Sequence, residues 1–451
     1  MLLDKNQLLQ IAFAFVLGIA VYFFGLTAFN ERQSELLGTI TFLVVLWTNE
    51  ALPLGVVSLL PIVLFPAFGI ISTKATTLNY GHPIIYLFLG GFLLAIAVEK
   101  SNLHMHISNK LLSFFPSTPR GVIFSLAVTT ALLSAVLSNT TTTLLLMPIA
   151  LFLSDNKKLQ MRFVLAIAYG ASVGGILTPI GTPPNLILLG VMQDKHMQII
   201  SFFQWMMLVA PLVFVMIGVV GMLLSIGVNE LKVEKNITTD SLDISQKKVM
   251  FLLLAVIAVL FVNAPIKPYW NGLGMSESGI LLGFGILLFV SPFKILEWEE
   301  DSKKIPFGII FLFGAGFSIA KAFTQTGLAD KIAHYLLQMT DITPIFLLFS
   351  VAFLITFTTE ITSNTALISI MLPVIYAVSQ AAGIDTTLFM MVATVCASYA
   401  FMLPIATPPN AIAMSSGVIN VKDMIRYGFV LNLIGIVSIV LVAEYFWKLF
   451  I

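Results

Sequence analysis

Two short polar turns interrupt apolar stretches of the sequence: Leu137-Ser138-Asn139-Thr140-Thr141-Thr142-Thr143 and Thr362-Ser363-Asn364-Thr365-Ala366. Unpaired hydroxyl and amide dipoles are costly at membrane depth unless something polar binds them. Asn, Ser and Thr oxygens, with carbonyls freed by a broken helix, make a pocket for a hard monovalent cation. The half-helix that begins after each Ser-Asn-Thr starts with free N–H groups and partial positive charge, which suits a carboxylate. Two such turns facing each other would offer two cation pockets and two anion-binding ends. A dianion with two carboxylates fits that pattern. Ser and Thr in membrane helices usually serve packing alone; recurrence in register sets these apart.

The register is a constant offset of 225 residues. It pairs Gly91-Phe92 with Gly316-Phe317, Leu103 with Leu328, Pro119 with Pro344 and Pro148 with Pro373. It also pairs Thr178-Pro179-Ile180-Gly181-Thr182-Pro183-Pro184-Asn185 with Leu403-Pro404-Ile405-Ala406-Thr407-Pro408-Pro409-Asn410. Chance likeness between apolar segments does not hold register at prolines and asparagines together, so the chain is internally duplicated. Prolines remove backbone donors and clash with the preceding turn, so a straight helix cannot pass through either Pro-Pro-Asn stretch. These are discontinuous helices.

The elements that must position the turns are membrane helices. The chain is 58% hydrophobic and 10% charged, with a mean hydropathy of +1.00, against about 25% charged in a soluble domain. That spread over the whole length means a polytopic membrane protein, partnered by the lipid bilayer. The formal net charge of +1 points to no nucleic-acid partner. Apolar runs fall near 8–28, 33–48, 52–70, 83–99, 202–226, 248–265, 277–293, 305–323 and 426–449. The first is too long for a signal-peptide core and reads as a retained helix. Regions 119–155, 161–192, 343–378 and 387–416 are apolar but broken by polar kernels. In the first and third, each half is too short to span on its own, which predicts re-entrant hairpins.

Loop charge orients this all-α arrangement. With the N-terminus in the cytoplasm, eleven spans and two hairpins put 16 of the 23 basic residues inside. Six of them flank the first hairpin, and only Lys331 flanks the second. The first hairpin then enters from the cytoplasm and the second from outside, giving an inverted-topology repeat with a site at the midplane and an external C-terminus. The expected organisation is N-terminal scaffold helices over 1–82, repeat 1 over 83–226 and a polar linker over 227–247. Scaffold helices of repeat 2 follow over 248–304, and the repeat 2 core over 305–451.

Other residues carry weaker signals. Glu360 stands in the second hairpin where the first has Ala135; it is either functional or a local cap. Glu50 and Glu99 read as interfacial, and Gly90-Gly91 and Gly314-Ala315-Gly316 as close helix packing. The segments 100–115 and 325–340 look like amphipathic interfacial helices, with His104 and His106 at the surface. Cys396 is the single cysteine and reads as a small core residue. The five histidines sit at expected loops or interfaces, leaving no nucleophile–base pair for an intramembrane enzyme. A channel would want a continuous polar pore, whereas polarity is confined to two points. No Lys or Arg lies near either turn, so a dianion must be compensated by dipoles and bound cations, which favours cation-coupled symport over enzyme or channel.

Taken together, the two Ser-Asn-Thr turns and two Pro-Pro-Asn loops resemble the divalent anion/sodium symporter family, the dicarboxylate and citrate carriers. The resemblance covers nearly the whole chain. It implies eleven transmembrane helices, two hairpins, a homodimer in the plasma (bacterial inner) membrane, and elevator-type alternating access. It also implies sodium-driven uptake of C4-dicarboxylates such as succinate, malate or fumarate. By position, the first sodium site would use Ser134, Ser138, Asn139 and the Gly181 carbonyl. The second would use Thr359, Thr362, Ser363, Asn364 and the Ala406 carbonyl. Substrate would meet Ser138, Asn139, Thr140, Ser363, Asn364 and Thr365, with Thr182, Thr407 and Pro408 lining the pocket. Sodium is the coupling ion and no organic cofactor is expected. Sodium-independent dicarboxylate exchange, or citrate or sulfate transport on the same fold, is the alternative.

Overall fold

The computed structural model describes residues 5–228, 241–265, 269–338 and 343–451. Most of the linker (229–240), with Glu230, Lys232, Glu234 and Lys235, and also Lys267, lies outside the described residues. The first part contains α1 (Lys5–Gly25), α2 (Glu31–Asn49), α3 (Leu54–Val57), α4 (Leu60–Ala67) and α5 (Thr73–Asn79). The first repeat follows as α6 (Pro83–Lys100), α7 (Leu103–Phe114), α8 (Pro119–Ser134), α9 (Asn139–Phe152), α10 (Lys157–Gly175), α11 (Pro183–Asp194) and α12 (Phe202–Ser225). Between the repeats lie α13 (Ile244–Asn263), α14 (Glu277–Leu287) and α15 (Trp298–Asp301). The second repeat is α16 (Phe307–Thr326), α17 (Leu328–Gln338), α18 (Pro344–Thr358), α19 (Asn364–Ala381), α20 (Thr386–Ala397), α21 (Pro408–Ser415) and α22 (Val421–Tyr445).

The duplication is visible in where helices start. α7 and α17, α8 and α18, α9 and α19, and α11 and α21 each begin 225 residues apart. The starts are set chemically. Proline at the first position supplies a preset φ where no N–H is needed, as at Pro119, Pro183, Pro344 and Pro408. Thr118 and Asn156 accept from first-turn N–H groups of α8 and α10. The halves of the first hairpin, 16 and 14 residues, rise about 24 and 21 Å at 1.5 Å per residue, short of the ~30 Å of hydrocarbon. Seven helices among the described residues are long and apolar enough to cross a bilayer.

Two expected runs differ. The 52–70 run is two short helices, because Pro53, Pro61 and Pro66 punctuate it. The 277–293 run is helical only to Leu287. His104 is buried rather than at the surface. It shares the inward face of α7 with Leu103, Ser108 and Leu112, and its Nδ1 meets the Val98 carbonyl at 3.2 Å.

The helices outside the repeats pack crosswise on them. One buried core joins α1–α4 to Leu312, Ala315, Ile319 and Phe323 of α16, in the second repeat. Ile280 and Leu281 of α14 instead join the larger core, with α6 of the first repeat. A Cβ on Gly90 would lie 2.4 Å from the Leu281 carbonyl carbon, so α6 and α14 meet backbone to backbone. Polar ties gather at two ends of the molecule. At one end Gln7 donates to Ala51 O (2.8 Å), Lys100 pairs with Asp301 (2.6 Å) and Lys158 donates to Gly227 O (2.9 Å). At the other end Arg32 donates to Ile70 O (2.6 Å), Gln33 to Thr326 O (3.0 Å) and Lys195 to Thr324 Oγ1 (2.7 Å).

Candidate substrate and cation site

Each hairpin tip is built in the same way. In the first, the Ser134 hydroxyl at the end of α8 lies 2.6 Å from Asn139 Oδ1 and 2.9 Å from the Ala171 carbonyl of α10. In the second, the Thr359 hydroxyl lies 2.6 Å from Asn364 Oδ1 and 2.9 Å from the Ala397 carbonyl of α20. Each hydroxyl carries one proton between two acceptors. Three oxygens share one hydrogen, an arrangement suited to a hard cation. Ser134 and Thr359 are fully buried behind the tips. Thr362 turns its hydroxyl back to the Thr358 carbonyl at 2.8 Å, which leaves its lone pairs available.

Beyond the tips the half-helices begin. Ser138 caps α9, accepting from the Thr141 N–H at 3.1 Å. Ser363 makes no side-chain cap on α19, so more of that helix's first N–H groups are open. Across from the tips, the breaks are clamped by the asparagines of the Pro-Pro-Asn motifs. Asn185 Nδ2 donates to the carbonyls of Thr178 (2.9 Å) and Gly175 (3.4 Å). Asn410 Nδ2 donates to Leu403 (3.0 Å) and Ala400 (2.9 Å). An unpaired buried carbonyl is costly, so each side chain closes the gap that its prolines open. Gly181 sits where a Cβ would come 2.4 Å from the Gly175 carbonyl; Ala406 occupies the matching place in the second copy.

Both tips and both breaks line one cavity of about 1330 Å³. Ser138, Asn139, Thr140 and Thr182 reach it from the first repeat, and Ser363, Asn364, Thr365, Thr407 and Pro408 from the second. Gly181, Thr362 and Ala406 also line it, whereas Ser134 and Thr359 do not. Among the described residues that line it there is no Lys, Arg or His. More of the wall comes from Gln7 and the stretch Trp47–Leu54, with Phe88, Gly91 and Phe92 of α6 and Ile309 and Leu312 of α16.

Residues 42–395 match the family profile described as citrate transporter. The chain belongs to this family.

Two curated relatives of this citrate-transporter family member are sodium-dependent dicarboxylate transporters. That of Staphylococcus saprophyticus is 32% identical over 432 residues, covering 88% of this chain and 83% of its own. That of Staphylococcus aureus strain MSSA476 is 32% identical over 468 residues, covering 95% and 90%. A crystal structure of the Alcanivorax borkumensis YdaH transporter matches the fold with a TM-score of 0.60 at 14% identity, covering 83% of this chain and 88% of that one. The resemblance read from the sequence holds. This family member is an integral multi-pass transporter and not an enzyme.

Sequence reasoning overlooked two features of this transporter and left a third, Glu360, with two readings. The cavity wall at Trp47–Leu54 includes Glu50, an exposed residue in the left-handed region at φ 52° that closes α2. The polar trio Thr48-Asn49-Glu50 after an apolar run was the available signal. The clamping Asn185 and Asn410 were visible as motif letters but their partners are backbone atoms. Glu360 is 3% exposed and accepts from the backbone N–H groups of Phe401, Met402 and Leu403 at 2.8–3.1 Å, and from Asn432 Nδ2 at 2.7 Å. Of the two expectations for it, local anchoring is what the contacts describe.

Proposed function

We propose that this chain is a sodium-coupled symporter of C4-dicarboxylates such as succinate, malate or fumarate. One observation carries the reading: two matched oxygen triads, each beside a helix N-terminus, reach one cavity through Asn139 and Asn364, and its lining offers no Lys, Arg or His among the described residues. A helix N-terminus stabilises an anion by about 0.3–2 kcal/mol. Taking a charge out of water costs several kcal/mol per ion. Two dipole ends therefore cannot hold a dianion alone, and bound cations make up the difference. Sodium fits the oxygen donors of Ser134, Ser138, Asn139 and Gly181, and of Thr359, Thr362, Ser363, Asn364 and Ala406. The substrate carboxylates meet the Ser-Asn-Thr turns, with Thr182, Thr407 and Pro408 completing the pocket. The sodium-dependent dicarboxylate transporters among its relatives support this assignment.

The same reading makes the hairpins and broken helices the moving part of an elevator, working against scaffold helices in 1–82 and 248–304. Eleven spans, two re-entrant hairpins, a homodimer in the bacterial inner membrane, a cytoplasmic N-terminus and an external C-terminus complete it. The ties at the two ends support inversion. The hairpin-1 side carries Lys100, bonded to Asp301, whereas α16 ends at Thr326, bonded to Gln33 at the opposite end.

The test is uptake of labelled succinate into proteoliposomes with and without an inward sodium gradient. Uptake should require sodium, and malate and fumarate should compete. Equal uptake without sodium overturns symport in favour of exchange. Stronger competition by citrate or sulfate than by succinate overturns the substrate.

A further inference from the structure

The two repeats tie hairpin to broken helix at the same place by opposite chemistry. In the first, the Thr178 hydroxyl donates to the Ala135 carbonyl. In the second, both positions have changed together: Ala135 is matched by Glu360 and Thr178 by Leu403. The Glu360 carboxylate accepts from the Leu403 N–H at 3.0 Å and from Phe401 and Met402 beside it. In a continuing helix these N–H groups would bond to the carbonyls of residues 397–399. α20 instead stops at Ala397, three residues short of the position matching Gly175, where α10 ends. The carboxylate thus replaces a helical turn. The Ala397 carbonyl is released to the Thr359 hydroxyl, and the segment leading to Ala406 is pinned. Asn432 of α22 holds the carboxylate from behind at 2.7 Å.

We infer that Glu360 is a positioning residue that preforms the second cation pocket and makes it the tighter of the two. It follows Thr359 directly, so a fixed negative charge lies beside that pocket, where Ala135 supplies none to the first. Its oxygens are occupied by four donors, which leaves it as an anchor and not a ligand. The inference rests on the proposed sodium symport.

The experiment measures sodium dependence of succinate uptake in proteoliposomes for wild type, Glu360→Gln and Glu360→Asp, with amide hydrogen exchange at residues 401–403. Glu360→Gln should raise half-saturating sodium about tenfold, keep the succinate KM at saturating sodium within about twofold, and speed exchange at 401–403. Glu360→Asp, which keeps the charge on a shorter arm, should recover sodium affinity relative to Gln. An unchanged sodium curve in Glu360→Gln overturns the inference, as does a lower maximal rate with unchanged half-saturation, or Asp no better than Gln. Should Glu360→Gln not fold, Glu360→Asp decides: wild-type exchange at 401–403 overturns the inference and faster exchange with sodium-dependent uptake supports it. Wild-type uptake that ignores sodium instead overturns the symport reading itself.

Discussion

Asn139 and Asn364 each sit between a buried hydroxyl and the cavity, so each joins an oxygen triad to the cavity wall. Replacing either with Ala removes one of the triad's oxygens, while the hydroxyl keeps its carbonyl partner, a hydrogen-bond loss of about 0.5–1.5 kcal/mol on top of the lost cation donor. Asn139→Ala and Asn364→Ala should therefore each lower succinate uptake by about tenfold or more; normal transport in one alone would contradict a shared site. Gly175 gives a steric test. A Cβ there would lie 2.5 Å from Asn139 Oδ1, so Gly175→Ala should impair uptake while Gly218→Ala, which meets nothing within 4 Å, should not. The turns were legible because residue type and spacing repeat together. Ser134 and Thr359 were reachable only through the family resemblance, since isolated hydroxyls on apolar helices look like packing. The partners of Asn185, Asn410 and Glu360 are largely backbone groups, which leave no mark in residue type.

At the level of elements, helix starts were legible wherever a proline or capping residue marks them, and four pairs keep the 225-residue offset. Lengths were less so. Apolarity runs unbroken through 52–70 although its prolines split the helix, and hydropathy cannot see that His104 faces inward on α7. The join between α6 and α15 is testable through pH. Burial opposes the Asp301 charge, but the Glu297 N–H and the Lys100 ammonium outweigh it and hold its carboxyl below the ordinary aspartate range. A depressed folded-state value means stabilisation that is present above the unfolded pKa, about 4, and lost as pH falls through the folded one. Asp301→Asn should lower the thermal midpoint of the purified protein at pH 7, with the gap narrowing below about pH 4. An equal gap at both pH values would remove the ion pair as its cause.

For the whole molecule, the cavity's N-terminal wall was the least legible part. It is assembled from Gln7 and Trp47–Leu54, distant in sequence from the turns and outside the repeat. The two breaks also meet their surroundings unequally. Ile180 is packed against Gly91, while its counterpart Ile405 is 76% exposed. If the broken helices travel past α6, that contact must part. A Cβ on Gly91 would lie 3.3 Å from the Ile180 Cβ, close to the ~3.5–4.5 Å of a disulfide. With buried Cys396 replaced by Ala, Gly91→Cys with Ile180→Cys should cross-link under oxidant and stop uptake until reduced. Full transport by the cross-linked protein would exclude a movement of the broken helix past α6. A cavity lining without Lys, Arg or His among its described residues has one further consequence. On the proposed symport by an elevator, two filled cation pockets and a dianion sum to zero, and the buried Glu360 carboxylate would ride out and back within each turnover. Steady uptake should then be indifferent to membrane voltage, while a single half-cycle should displace one negative charge through the field and appear as a transient current.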